Sequence, residues 1–295
     1  MQETPLSPRP DADGAWLAPA KLNLMLRVLG RRDDGYHRLQ TVFQFVDRCD
    51  RLFFEPRRDG RIERPEGPDA IPPEQDLVTR AARALKEASG TPRGVTIRVD
   101  KRLPMGGGLG GGSSDAATTL QALNAVWDTR LSEDQLAEIG LRLGADVPVF
   151  VRGRAAWAEG VGETLSMVSL PRPWYLVLAP PVHVSTAAVF GDPGLTRDSL
   201  PITLADFLRG DAKNDCLAPV LAHYPAVKEA FDWLERRAEA KLTGTGACLF
   251  AALATRENAD ALLAEAPTGI PAFVSRARNR SPLFGSEPPG VSPEG

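Results

Sequence analysis

The run Pro104-Met105-Gly106-Gly107-Gly108-Leu109-Gly110-Gly111-Gly112-Ser113-Ser114 lies between a stretch of alternating apolar residues and one of helical periodicity. Each glycine would weaken a helix or strand by about 0.5–1 kcal/mol relative to alanine, so the run does not serve regular structure. Glycines let backbone N–H groups come close to an anion. The start of the following helix adds free donors and a partial positive end, which together make a phosphate cradle. A flexible linker competes with this reading, but Gly-Ser linkers rarely run straight into so periodic a helix. The Walker arrangement needs a Lys after the last glycine, where Ser113 stands. The spacing Gly106-x-Gly108-x-x-Gly111 does meet a dinucleotide fingerprint. That fold buries both faces of the preceding strand, however, whereas here Thr96, Arg98 and Asp100 share one face and need water. Asp115 is an awkward neighbour to a phosphate site: a carboxylate in the first helical turn suits the helix dipole but repels phosphate.

Direct phosphoryl transfer also needs a group to accept a hydroxyl proton and a cation to steady the developing charge. Gly144-Ala145-Asp146-Val147-Pro148-Val149-Phe150 sets one carboxylate among small and apolar residues at an expected helix-to-strand junction. Asp146 there either caps a turn or is held fixed for chemistry. In Ala18-Pro19-Ala20-Lys21-Leu22-Asn23-Leu24, Lys21 and Asn23 alternate with apolar residues, so both point to one side of a strand, on a solvated face or in a site. Gly35-Tyr36-His37-Arg38 puts an aromatic ring beside an imidazole after the first hairpin. Such a pair can stack on a nucleobase and hydrogen-bond its edge, or merely decorate a turn.

These residues must be positioned by the elements around them. Leu17 to Leu29, Leu39 to Val46 and Leu52 to Phe54 read as an antiparallel opening, and Leu77 to Ala88 as a helix. Gly94 to Arg102 alternates as a strand wet on one side. Helices are expected at Ser113 to Trp127 and from near Ser132, then short strands at Val147 to Val151 and Ala155 to Ala158. After Gly160 come a strand at Tyr175 to Ala179 and helical patterns at 203–209, 225–238 and 257–265. Strand-like runs at 240–254 and 272–278 enclose the last helix. Ile71 to Pro73 and Gly191 to Ser199 read as surface loops.

The chain of 295 residues, 43% hydrophobic and 25% charged, is long enough for two cores. A net charge of -3 and a pI near 5.8 provide no basic field for nucleic acid or an anionic membrane, and neither is expected as a partner. The longest apolar stretches fall far short of the roughly 20 residues of a membrane span, and the acidic, Pro-rich N-terminus lacks a signal pattern, so a cytoplasmic location is expected. Cys49, Cys216 and Cys248 are scattered and fit structural roles in a reducing compartment. His37, His183 and His223 lack metal-ligand spacing, and no Gly-x-Ser-x-Gly elbow exists, which disfavours metal and serine hydrolases.

Four motifs then occur in order: Pro19-Ala20-Lys21-Leu22-Asn23, the glycine run, Gly144-Ala145-Asp146-Val147-Pro148 and Leu242-Thr243-Gly244-Thr245-Gly246-Ala247. In this the sequence resembles the superfamily of galactokinase, homoserine kinase, mevalonate kinase and phosphomevalonate kinase, the GHMP kinases. The resemblance implies a small-molecule kinase using ATP with Mg²⁺. It implies an α+β, two-domain fold, with an N-terminal mixed sheet with helices and a left-over-right C-terminal α/β sandwich of sheet and helices. The domains are expected at 14–160 and 161–283, with loose tails at 1–13 and 284–295.

By the same resemblance Pro104 to Ser114 wraps ATP, Asp146 is the general base, Lys21 orients it or steadies the alkoxide, and Asn23 positions the reacting groups. Thr243, Gly244, Thr245 and Gly246 form a second glycine loop closing the site. The Asp-Gly-Tyr-His segment ending in Tyr36 and His37 resembles that of the diphosphocytidyl-methylerythritol kinases, in which these residues hold the cytosine. Phe43 and Phe190 would then complete the base pocket, with Thr186 nearby. The match runs on through Asp100-Lys101-Arg102-Leu103-Pro104, Ala158-Glu159-Gly160-Val161-Gly162 and Asn214-Asp215-Cys216. It implies transfer of the γ-phosphoryl group to the 2-hydroxyl of a diphosphocytidyl methylerythritol acceptor; composition and spacing alone reach only a nucleotide-binding phosphotransferase. Another kinase of the superfamily, or a nucleotide-binding protein without catalysis, remains the alternative.

Overall fold

The computed structural model describes residues 7–33, 35–66, 72 and 75–285. Strand β1 (Trp16–Arg31) folds back on β2 (His37–Arg57), pairing Arg31 with His37 and Trp16 with Leu52. The long β2 then takes β4 (Gly94–Asp100) along its C-terminal half and β5 (Ala156–Gly160) along its N-terminal half. Strand β3 (Ile62–Glu66) runs parallel to β4, and β6 (Thr164–Met167) closes a hairpin with β5. In the second half β7 (Trp174–Leu178), β8 (Lys241–Leu242), β9 (Leu249–Leu253) and β10 (Ala272–Arg278) pair antiparallel. Strand β10 joins the halves by pairing Ala277 and Arg278 with Val46 and Phe45 of β2, giving the order β3-β4-β2-β10-β7-β9-β8.

Helix α1 (Leu77–Ser89) starts where the Asp76 side chain accepts the N–H of Thr79 and stops at left-handed Gly90. The central helix α2 (Gly111–Val126) is buried on all sides from Ser114 to Leu123, as its Ala- and Thr-rich sequence allows. Ser132 and Gln135 form a capping box for α3 (Glu133–Leu143). The remaining helices are α4 (Val147–Arg152), α5 (Thr186–Gly191), α6 (Leu204–Leu208), α7 (Leu217–His223), α8 (Pro225–Glu235) and α9 (Arg256–Ala264). One core gathers Phe43, Phe45, Leu52, Ile97, Leu120 and Phe150 between the first sheet and α1–α4; a second gathers Leu176, Val220, Val227, Leu234 and Leu249. Between them Leu109, from the glycine run, packs with Leu22, Val46, Tyr175, Val177 and Phe250.

Several expectations change. Val147 to Val151 is helical, not a strand: Pro148 stands in the first turn, where its fixed φ and missing N–H are tolerated. All five residues are buried, so the alternation of β-branched residues does not mark two faces. Helices α5 and α7 and strand β6 are too short to show a clear period in the sequence. The β5–β6 hairpin crosses the expected division at 160/161. The tails are shorter than expected: Arg9 N–H bonds Leu283 C=O at 3.2 Å, Asp11 pairs with Arg51, and Phe284 is buried. The expected loop at Ile71 to Pro73 lies outside the described residues except for Pro72.

Candidate active site

Lys21 and Asn23 project from β1 into a cavity of about 830 Å³. The Lys21 ammonium is buried, with its side chain only 3% exposed, and lies 3.2 Å from Asp146 Oδ2, whose side chain is 35% exposed. The cation is thus sealed below while the carboxylate faces the cavity. Lys21 Nζ also donates to Gly108 C=O at 3.1 Å and to Asn23 Oδ1, and sits 5.4 Å from the Phe43 ring centre. Asn23 Nδ2 donates to Thr41 Oγ1 at 2.9 Å, and that hydroxyl donates to Met25 C=O at 2.6 Å, so the amide is locked in one orientation. Asp146 stands at the head of α4 but caps no N–H with its side chain. Its carboxylate is therefore not used up in local structure.

The first glycine loop crosses the site between two cavities. Gly108, Gly110 and Ser113 line the 830 Å³ cavity and also one of about 380 Å³ bounded by Leu77, Lys101, Met105 and residues 106–112. Gly110 heads α2 at φ 73° with no side-chain cap, so the first N–H groups of that helix have no side-chain acceptor there. Glycine is required at Gly108, where φ is +79° and a Cβ would meet Thr243 C=O at 2.2 Å. That closeness marks the meeting with the second loop. Thr243 Oγ1 donates to Gly108 C=O at 3.2 Å and accepts the Asn23 N–H at 3.0 Å, while Cys248 N–H donates to Gly107 C=O at 3.0 Å. Asn214 braces the second loop by donating to Leu242 and Gly244 C=O at 2.8 and 2.9 Å. Thr186, first residue of α5, is 3.0 Å from Thr245, hydroxyl to hydroxyl.

At the far end of the larger cavity His37 stacks on Phe190, ring centres 5.0 Å apart and planes at 22°. His37 Nε2 is buried without a partner, and burial, then Arg197 and Arg31, hold the imidazole below its ordinary pKa, so it is neutral at pH 7. Arg197 fixes the end of α5 by donating to the carbonyls of Phe190, Asp192 and Leu195 at 2.8, 2.7 and 3.1 Å. Tyr36 lines the same end and is 65% exposed.

The cavity therefore gathers Lys21, Asn23, Tyr36, His37, Phe43, Asp146, Thr186, Phe190, Gly244 and Thr245 from distant parts of the chain. Phe43 lines the same cavity as Tyr36, His37 and Phe190. It is buried beneath Lys21, six residues and about 20 Å along β2 from His37. Pro104, Met105, Gly106, Gly107, Gly111 and Gly112 face the smaller cavity, whereas Ser114 is fully buried with an unpartnered hydroxyl. Gly246 packs on Leu242 and Val220 behind the second loop. No role was read for Thr41, Asn214 or Arg197: Thr41 meets Asn23 18 positions away and Asn214 meets Leu242 and Gly244 28 and 30 away, while the Arg197 contacts, two to seven positions away, fall in a stretch read only as a loop.

Asp115 is buried beside Lys101, and burial, assisted by Asp50, pushes its carboxyl up to about 7 against the pull of Lys101. Among the described residues no group of three or more His, Cys, Asp or Glu is arranged to hold a metal ion, and no helix is long and apolar enough to cross a membrane. The thiols of Cys216 and Cys248 are pushed up to about 12 by burial.

Residues 76–154 match the family model described as GHMP kinases N terminal domain, and residues 202–271 the one described as GHMP kinases C terminal. The chain is 57% identical over 266 residues to the 4-diphosphocytidyl-2-C-methyl-D-erythritol kinase of Ectopseudomonas mendocina (strain ymp), covering 90% of this chain and 91% of that one. Against the protein of the same name from Alkalilimnicola ehrlichii it is 56% identical over 270 residues, 92% and 93% of the two chains. A solved 4-(cytidine 5'-diphospho)-2C-methyl-D-erythritol kinase superposes with a TM-score of 0.76 at 35% identity, over 89% of this chain and 98% of that one. A solved mevalonate kinase shares the fold at a TM-score of 0.66 and 16% identity, over 90% and 99%.

Proposed function

The chain belongs to the GHMP kinases, within them to the 4-diphosphocytidyl-2-C-methyl-D-erythritol kinases, and from this we propose how its residues divide the work of an ATP-dependent kinase. The reaction moves the γ-phosphoryl group of ATP to the 2-hydroxyl of 4-diphosphocytidyl-2-C-methyl-D-erythritol, a step of non-mevalonate isoprenoid precursor synthesis. The observation that carries the assignment is that Gly108, Gly110 and Ser113 line both cavities, with the Lys21–Asp146 pair on one side of them. ATP occupies the smaller cavity, its phosphates on the backbone donors of the loop and the open head of α2. The acceptor fills the larger one, its cytosine between Tyr36, His37 and Phe190 and its hydroxyl at Asp146.

Asp146 takes the hydroxyl proton as the oxygen attacks, and Lys21, buried and oriented by Asn23 and Gly108, steadies the alkoxide. Neutral His37 offers its free nitrogen to the edge of the base. Mg²⁺ neutralises phosphate charge when bound. The test is ADP release by the pure protein with MgATP and the cytidyl acceptor, run against mevalonate and homoserine. Turnover of either alternative at the rate of the cytidyl acceptor would overturn the acceptor assignment.

A further inference from the structure

We infer that Lys101, Asp50 and Asp115 are positioning residues that close the neck of the nucleotide loop and so set how tightly it holds ATP. This rests on the reading of Pro104 to Ser114 as that loop. Asp50, on β2 and fully buried, accepts the N–H groups of Arg102 at 2.6 Å and Leu103 at 2.8 Å through Oδ1, the last two residues before Pro104. Its Oδ2 accepts from Lys101 Nζ, which also donates to Asp115 Oδ2 at 2.8 Å. Asp115 lies in the first turns of α2, beyond the loop. One ammonium therefore ties the chain on the near side of the glycines to the chain on the far side, across 14 positions.

Nothing local demands this arrangement. Two carboxylates and one ammonium with side chains 0%, 6% and 19% exposed carry a desolvation cost, and apolar replacements of such clusters are often neutral or stabilising. Asp115 Oδ1 is buried with no partner, so the cluster is not even fully satisfied. What it does provide is geometry. The Cβ position of Gly111 lies 3.5 Å from Lys101 Nζ and 3.7 Å from Asp50 Oδ2, which places the cluster directly under the first turn of α2, where the phosphates bind. The Arg64–Asp76 ion pair, 3.0 Å apart, lines the same smaller cavity from β3 and the head of α1.

The experiment is steady-state kinetics on Lys101→Met, Asp115→Asn and the double variant, with calorimetric titration of an ATP analogue. Lys101→Met removes the ammonium that bridges Asp50 and Asp115, so the KM for ATP should rise about tenfold or more while kcat and the acceptor KM stay within about threefold. In the double variant the amide introduced by Asp115→Asn can donate to Asp50 and restore the closure, so most of the loss should be recovered. Should Lys101→Met fail to fold, Asp115→Leu, which keeps the Lys101–Asp50 pair and removes only the tie to α2, should raise the ATP KM in the same way. A Lys101→Met defect that the second substitution does not repair would mean that Lys101 touches the nucleotide itself and would overturn the proposal. So would equal losses for both substrates, or an unchanged ATP KM. Absence of analogue binding in the wild-type protein would instead overturn the nucleotide-loop reading on which the proposal stands.

Discussion

At one end of the larger cavity Lys21 and Asn23 are already locked by Gly108, Thr41 and Thr243, whereas at the other His37 Nε2 is buried without a partner and Tyr36 is 65% exposed. On the proposed roles, the reacting end is in place before any ligand arrives, and the base-binding end is the one a ligand would complete. Donors and charges fixed in advance cost no reorganisation at the moment of reaction, so the first end should govern rate. An end that gains a hydrogen bond at His37 on binding should govern affinity. The contrast follows from the supports. Lys21 sits mid-strand in β1, paired along most of its length with β2, while Tyr36 follows the turn that joins the two strands and Phe190 sits on a six-residue helix held by Arg197.

The largest effect expected from this contrast is at Asp146. Asp146→Asn keeps the shape and removes the proton acceptor, so kcat should fall by about 10²–10⁴ while nucleotide and acceptor affinities stay within a few fold. Near-normal turnover in single-turnover assays would mean that the pair is structural. His37→Ala should do the reverse, costing about 1–3 kcal/mol, or roughly 5- to 150-fold, in affinity for a cytidine diphosphate in calorimetric titration. ATP affinity should be unchanged. Equal losses for both ligands would show that the two ends are not separable.

That Lys21, Asn23, the glycine run and Asp146 belong to one site was legible in the sequence because they come as contiguous motifs whose chemistry is intelligible locally. Lys21 and Asn23 sit two apart on a strand, the glycines have no use in regular structure, and Asp146 lies among apolar neighbours. What could not be read is long-range. Asp50 meets Lys101 across 51 positions and Thr243 meets Gly108 across 135, and no local pattern carries such pairings. The misreading of α4 as a strand has a local cause: valines at 147, 149 and 151 imitate a period of two in a segment buried on every side.

Tyr36 sharpens the comparison at smaller scale. Base–aromatic stacking is worth about 1–3 kcal/mol by alanine substitution, and a ring left 65% exposed should fall at the lower end, about a fivefold to tenfold loss. Tyr36→Phe should retain most of the affinity if stacking is the contribution. A Phe variant as weak as the Ala variant would assign the loss to the hydroxyl instead.

The smallest expected effect is on pH dependence, and it separates the ends without any mutation. Burial, Arg197 and Arg31 all disfavour the imidazolium, so the His37 pKa lies below its ordinary 6.5 and the ring is neutral from pH 8 down to that value. If the neutral ring contacts the base, acceptor affinity is fully present above 6.5 and is lost only as pH falls through the lowered pKa. At pH 6.5 the loss must stay below about twofold, the value for a group titrating at its unshifted pKa, and it should grow on further acidification. The diphosphocytidyl acceptor itself is the ligand to titrate, because its diphosphate is a diester and has no secondary ionisation in this range. The same titration on His37→Ala should be flat, with the weaker affinity already described. An acceptor affinity that rises on acidification would mean that an imidazolium facing the diphosphate, and not a neutral ring facing the base, is the binding form.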